Sequence, residues 1–187
     1  MSLSKTKRLV IAAMLAAMCF VLSRYASIEL PTLKISFDSF PVLVSALLLG
    51  PIDGMAVGLI GSFLSQLASQ YGLSVTTPLW ILPHALRGLL VGLYAKSHAF
   101  ELKTGQLYFI TVIAALMVTA LNTAIQYIDS LVFQYSYVAA LPAVLLRVVL
   151  GILTAVLFAA VLPRVLAPLR EMLGINSPPS ELEELEE

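Results

Sequence analysis

The stretch SFDSFPVLVSALLLGPIDGMAVGLIGSFLSQL, residues 36–67, decides which kind of fold this chain adopts. It holds two apolar runs without a basic residue, and the pair Gly50-Pro51, which marks a turn, separates them. The second run opens a span of about 20 residues, 52–71, which is the length that a helix needs to cross a bilayer. The first run, Pro41 to Leu49, is too short to cross upright, so it must tilt, gain residues from the preceding loop, or stop part-way. The stretch therefore indicates two membrane helices joined by a tight turn.

The same apolar character extends over the whole chain. Of its 187 residues, 59% are hydrophobic and 12% are charged, whereas soluble domains carry about 25% charged residues. Composition therefore excludes an ordinary soluble domain and predicts an integral membrane protein. The 11 basic and 11 acidic residues cancel, and no basic stripe recurs at helical spacing, so nucleic acid is excluded as a partner.

Apolar runs recur along the chain between turn and charge signals. They predict an all-α integral membrane protein whose single domain, residues 1–170, is a compact bundle of six transmembrane helices. An acidic tail over residues 171–187 is expected to be a disordered extension. The predicted spans are about 9–28, 40–50, 52–71, 79–95, 107–128 and 138–166.

The positions of the basic residues predict the orientation of the bundle. With six crossings and the N-terminus inside, the outer loops hold only Lys34, as the positive-inside rule requires. Five crossings would place Lys96 and Lys103 on the wrong side. Both termini are therefore expected to be cytoplasmic. The basic residues of the inner side are then Lys5, Lys7, Arg8, Lys96, Lys103, Arg164 and Arg170.

Three arginines, Arg24, Arg87 and Arg147, lie within or at the edge of predicted spans, all in the outer half of the bundle. An arginine at mid-helix costs about 2.5–3.5 kcal/mol to insert, so each must face the bundle interior, a partner or water. Two interpretations stay open. In the first, which we favour, at least two of the arginines face a cavity that holds an anionic ligand. In the second, carboxylates within the protein balance the charges of all three arginines. The available acids are Glu29, Asp38 and Asp129.

Other polar and aromatic side chains on the predicted spans extend the candidate ligand site. Trp80, His84 and Arg87 are spaced i, i+4, i+7 and share one helical face. The amides of Asn122 and Gln126 could read the polar edge of a ring. Singly, such residues are also explained by interhelical hydrogen bonds or by an aromatic belt at the interface. The predicted ligand-binding set is Arg24, Phe37, Trp80, His84, Arg87, Asn122, Gln126 and Arg147.

Small residues recur at i+4 spacing, which lets helix backbones approach closely. Four alanines in span one have this spacing, and they could pack inside the bundle or against a partner protein. For the glycines of spans three and four we expect packing within the bundle. The alanines are Ala12, Ala13, Ala16 and Ala17, and the glycines are Gly50, Gly54, Gly58, Gly88 and Gly92.

Catalysis has no support in the sequence. The chain has no HExxH, no Gly-x-Ser-x-Gly and no phosphate-binding loop, and its single cysteine, Cys19, forms no metal-binding spacing with histidine. We therefore expect no enzyme, no cofactor and no metal site. If the protein moves a ligand against a gradient, another chain must hydrolyse ATP.

The chain resembles the substrate-binding S-components of energy-coupling factor (ECF) vitamin transporters over most of residues 8–166. The resemblance is carried by the Ala-xxx-Ala spacing of span one, by the stretch from Phe37 to Pro41, and by Leu49-Gly50-Pro51 before a glycine-rich span. It implies a vitamin pocket beneath a lid loop over Glu29 to Ser39, in a multi-pass protein of the cytoplasmic membrane of a prokaryote. It also implies docking on a membrane scaffold subunit with two ATPase subunits. The implied docking residues are Ala12, Ala13, Ala16 and Ala17.

The sequence leaves more than one vitamin open as the ligand. The stretch from Val21 to Ile28 resembles the folate-type branch, and the carboxylates of folate would suit three arginines. The stretch from Phe37 to Pro41 resembles the riboflavin branch, and Thr77-Pro78-Leu79-Trp80 matches neither. Folate is favoured, and pantothenate and riboflavin stay open. Two other classes also stay open: a self-sufficient secondary transporter, although no internal repeat is found, and a membrane scaffold without a small ligand.

Overall fold

The computed structural model describes residues 4–30, 33–69, 72–137 and 141–175. Six helices contain most of these described residues, and a small two-stranded sheet lies between the first two helices. The all-helical class predicted from composition is confirmed in its main part, with this sheet as an addition. The elements in chain order are α1 (Lys5–Tyr25), β1 (Ser27–Leu30), β2 (Leu33–Ser36), α2 (Ser39–Leu48), α3 (Pro51–Leu67), α4 (Thr77–Ser97), α5 (Thr104–Phe133) and α6 (Leu141–Leu173).

Each predicted span corresponds to one helix, and the helices start or end a few residues away from the predicted bounds. By length and hydropathy, three helical segments could cross a membrane: Lys5–Tyr25, Thr104–Phe133 and Val144–Leu173. The number of crossings and the side of the termini stay predictions. The predicted boundary of the acidic tail at residue 170 falls inside α6, and residues 176–187 lie outside the described residues.

The expected lid loop over Glu29 to Ser39 overlaps a β-hairpin that begins at Ser27. Strands β1 and β2 pair in antiparallel register, with Ser27 opposite Ser36 and Ile28 opposite Ile35. Sequence patterning did not predict these strands, because four residues are too few to show a period of two. The hairpin follows α1 directly and leads, through Phe37 and Asp38, into α2. We call this end of the bundle the hairpin end and the opposite one, where α2 turns into α3, the Gly50 end.

Helix α2 is short and enclosed by protein. Its ten residues extend over about 15 Å, half of a hydrocarbon core of about 30 Å. Nearly every residue from Ser39 to Leu48 is buried, because α1, α3, α4 and α6 all contact it. Arg8 Nη2 donates to Leu49 O at 3.0 Å and Arg170 Nη2 donates to Leu47 O at 3.3 Å. These two arginines satisfy carbonyls at the negative end of the helix, which lies at the Gly50 end of the bundle.

Helices α3 and α4 cross at their glycines. A Cβ atom at Gly88 would collide with the carbonyl of Gly54, and a Cβ atom at Gly58 would collide with the carbonyl of His84. A Cβ atom at Gly54 would lie 2.7 Å from Ala46 Cβ of α2. The expectation that the glycines pack within the bundle is confirmed. Their close contact brings α2, α3 and α4 together around the candidate site.

Candidate functional site

A buried carboxylate and two basic side chains meet at the hairpin end. Asp38, in the turn between β2 and α2, is 8% exposed. His84 of α4 places Nε2 3.5 Å from Asp38 Oδ1, and Ser39 Oγ donates to the same oxygen at 3.3 Å. Arg87, one turn further along α4, is 9% exposed and interacts electrostatically with Asp38. We call Asp38, His84 and Arg87 the charged cluster.

The charged cluster has unused hydrogen-bonding capacity. Within the described part of the chain, Arg87 Nη1 and His84 Nδ1 are buried without a hydrogen-bond partner. Ser45 Oγ of α2 and Ser62 Oγ of α3 are also buried and unpartnered. A buried donor without a partner costs about 1–3 kcal/mol, and more when it is charged. Such a donor calls for an explanation, and a bound ligand is one of them.

A second polar group ties the loops at the hairpin end to α5. Thr76 Oγ1, just before α4, donates to Asp129 Oδ1 at 2.5 Å, and Tyr135 OH, just after α5, donates to Asp129 Oδ2 at 3.3 Å. Partial burial and the neighbouring Asp129 carboxylate raise the pKa of Tyr135, so its hydroxyl remains protonated and donates. The sequence indicated Asp129 as a possible partner of an arginine. The structure pairs it with hydroxyl groups instead.

Gln126 of α5 and Arg147 of α6 form a side-chain hydrogen bond between the two helices. Arg147 Nη1 donates to Gln126 Oε1, and both side chains are partly buried. The amide oxygen predicted to read a ring edge is therefore engaged by the guanidinium predicted to bind an anion. This pairing could not be predicted, because it depends on how the two helices are rotated about their axes.

The other four predicted ligand-binding residues differ in their surroundings. Arg24 is exposed in the last turn of α1, and Trp80 and Asn122 are partly buried. Phe37 packs edge-on against Phe158 of α6, with ring centroids 6.1 Å apart. Of the eight residues, the structure therefore brings His84 and Arg87 together in one cluster and Gln126 and Arg147 together in another. Thr76, which donates to Asp129, carries no signal in the sequence that distinguishes it from other hydroxyl residues.

The four alanines of α1 divide between two sides of the helix. Ala16 is buried and Ala12 half-buried, and both pack inside the bundle with Cys19, Val42 and Val57. In contrast, Ala13 and Ala17 are exposed. A contact between α1 and another protein can therefore use only two of the four predicted docking residues directly.

An open groove of about 620 Å³ lies between α5 and α6, apart from the charged cluster. Thr119, Thr123 and Tyr127 line it from α5, and Val144 and Val148 line it from α6. None of the predicted ligand-binding residues lines this groove. Over the described ranges, no group of three or more His, Cys, Asp or Glu side chains is placed to hold a metal ion.

A helical bundle with charged groups buried among apolar helices is typical of a membrane protein that binds or transports a solute. The sequence matches the family described as "ECF-type riboflavin transporter, S component" over residues 3–168, and the chain belongs to this family. Members are substrate-binding subunits of membrane transporters and are not an enzyme class. The resemblance to ECF S-components is thereby confirmed.

Two solved structures share the fold. The structure described as "Structure and mechanism of the S component of a bacterial ECF transporter" is 23% identical, with a TM-score of 0.63 over 91% of this chain and 99% of that one. The structure described as "Crystal structure of FolT bound with folic acid" is 20% identical, with a TM-score of 0.63 over 82% of this chain and 94% of that one. The comparison with curated proteins gives no match.

Proposed function

We propose that this chain is the vitamin-binding subunit of an ATP-driven ECF importer in the cytoplasmic membrane of a prokaryote, and that its ligand is an anionic vitamin of the folate class. The observation that carries the ligand class is the buried Nη1 of Arg87 at the hairpin end, which has no hydrogen-bond partner among the described residues. A guanidinium is suited to a carboxylate, because its parallel N–H groups match the two oxygens. The folate-bound FolT structure, which has the same fold, supports this choice.

Riboflavin is the second candidate, because the matching family is described as a riboflavin transporter component. Its isoalloxazine ring and ribityl chain are uncharged and do not require a buried cation. The two candidates therefore differ in what they predict for Arg87. A folate-type ligand needs this guanidinium, whereas riboflavin would bind through aromatic and neutral polar groups.

Folic acid is expected to stabilise the purified protein in detergent, and riboflavin and pantothenate are not. A ligand that binds only the folded state adds about 2.7 kcal/mol at a hundredfold excess over its dissociation constant. The measurement is the thermal unfolding midpoint with each vitamin at increasing concentration. Stabilisation by riboflavin alone would contradict the folate assignment and retain the transporter subunit. Stabilisation by no vitamin would contradict the vitamin-binding function.

The substitution Arg87→Met is expected to weaken folic acid binding by about tenfold to a hundredfold, which is the loss of one or more hydrogen bonds from a charged donor. Titration calorimetry on the detergent-purified variant measures this affinity. Arg164→Met is the matched control, because Arg164 is exposed on the far half of the same bundle. Equal affinities of the two variants would show that Arg87 does not contact the ligand.

The transport partners are proposed to be a membrane scaffold subunit and two ATPase subunits. The docking surface on this chain is then the exposed side of α1 around Ala13 and Ala17, since small residues allow a second helix to approach closely. Ala12 and Ala16 support this surface from inside, where they hold α1 against the bundle. With both termini cytoplasmic, the hairpin end with the ligand site faces outward and the Gly50 end faces the cytoplasm.

A further inference from the structure

The buried arginine of the charged cluster interacts with one carboxylate, but its Nη1 donates no hydrogen bond to any described residue. The Asp38 carboxylate contacts His84 Nε2 at 3.5 Å, and His84 lies one helical turn from Arg87 on the same face of α4. Asp38 is therefore near enough to Arg87 to interact with it electrostatically. Arg87 Nη1 has no partner in the part of the chain that the structure describes. Asp38 therefore balances the charge of Arg87 without occupying the Nη1 donor.

We propose that Asp38 is the resident counter-ion of the vitamin site and determines how strongly an anionic ligand binds there. This inference rests on the proposed function and adds a specificity residue to it. In the empty protein, Asp38 compensates the buried guanidinium. When a vitamin carboxylate accepts from Arg87 Nη1, it enters a site that already contains one negative charge. Asp38 therefore lowers the affinity for anions and stabilises the protein that has no ligand.

The chain segment that carries Asp38 is held in place by its neighbours. It lies two residues after the end of β2 and immediately before α2, which is buried among four other helices. Its neighbours Phe37 and Phe40 both contact Phe158 of α6, with ring centroids 6.1 and 5.5 Å apart. The carboxylate is thus held on a fixed segment below the hairpin, so its charge remains in the site when a ligand enters.

Removing the Asp38 charge is expected to lower the stability of the protein and to raise its affinity for an anionic ligand. Breaking a buried charge pair by removing one partner is strongly destabilising, because the remaining charge is uncompensated. The same uncompensated charge attracts an anionic ligand more strongly, since charges in a protein interact through an effective dielectric constant of about 20, far below that of water. A residue with a merely structural role would lower stability and affinity together.

The test is Asp38→Asn in the full-length protein purified in detergent, with folic acid and riboflavin as ligands. Without ligand, the unfolding midpoint is expected to fall by about 10 °C. The affinity for folic acid is expected to rise by about tenfold, and any affinity for riboflavin is expected to stay constant. Asp53→Asn is the control, because Asp53 pairs with Arg8 at the Gly50 end, and its loss should leave folic acid affinity unchanged.

A double variant, Asp38→Asn with Arg87→Met, tests the pairing without any ligand. It removes both charges and is expected to unfold at a higher temperature than Asp38→Asn alone. Unchanged or weaker folic acid binding by a folded Asp38→Asn variant would overturn the inference while leaving the proposed function in place. If neither wild type nor variant binds folic acid, the folate assignment and the inference both fail. If the double variant is no more stable than the single one, Asp38 is not the counter-ion.

Discussion

Replacing Ala13 with tryptophan is expected to abolish vitamin uptake while vitamin binding stays intact. Ala13 is exposed on α1, whereas Ala16 is buried, so a large side chain at position 13 can extend away from the bundle without disturbing the core. It would hold a partner helix away, because contact through small residues needs a close approach of two backbones. The same result is expected for Ala17→Trp.

The measurement is uptake of the bound vitamin by cells or proteoliposomes that contain the complete transporter, together with binding to the isolated subunit. Ala160→Trp on α6 is the matched control, since Ala160 is also exposed and lies on another helix. Normal uptake by both Ala13→Trp and Ala17→Trp would contradict docking through α1. Uptake by this chain alone under an ion gradient would instead favour a self-sufficient secondary transporter.

Replacing Gly88 with leucine is expected to prevent the bundle from folding. A Cβ atom at this position would collide with the carbonyl of Gly54, which belongs to the backbone of the first turn of α3 and cannot move aside as a side chain could. Overpacking of a tight contact costs about 1–3 kcal/mol, and a backbone collision costs more. The yield of monodisperse protein after detergent extraction and its unfolding midpoint measure the effect.

The control for this substitution is Gly105→Leu near the start of α5, where nothing lies within 4 Å of an added Cβ atom. That variant is expected to extract and unfold like the wild type. If Gly88→Leu behaved in the same way, the close crossing of α3 and α4 would be wrong. The position of Arg87 would then be wrong as well, since it neighbours Gly88 in α4.

The site was predictable in part. Arg87 and His84 stand out in the sequence because inserting a charged or titratable side chain into the membrane costs free energy. Such a residue in an apolar run therefore indicates a functional site. Their spacing of three residues is enough to place them on one face of a helix. The carboxylate that joins them could not be chosen from the sequence, because Asp38, Glu29 and Asp129 were equally available at the same end. Only the packing of α2 against α4 selects Asp38.

The Gln126 and Arg147 pair shows the same limit. Each residue was a candidate for the ligand site, yet the structure bonds them to one another between α5 and α6. Likewise, the alanine spacing of α1 did not reveal which alanines face outward. Ala12 and Ala13 are neighbours in the chain, and a rotation of about 100° per residue places one toward the core and the other away from it.

Patterns in the sequence were sufficient to predict the membrane class, the six helices, the turn at Gly50-Pro51 and the close packing of the glycines. These features depend on local composition, on run length and on the absence of a side chain, all of which are written in the chain residue by residue. The tertiary structure adds that β1 and β2 pair as a hairpin, that two arginines bind the last carbonyls of α2 at the Gly50 end, and that Asp38 meets His84 near Arg87. The physical reason is that a buried polar group takes its partner from another element, and its choice depends on helix rotation and depth, which apolar sequence patterns leave free.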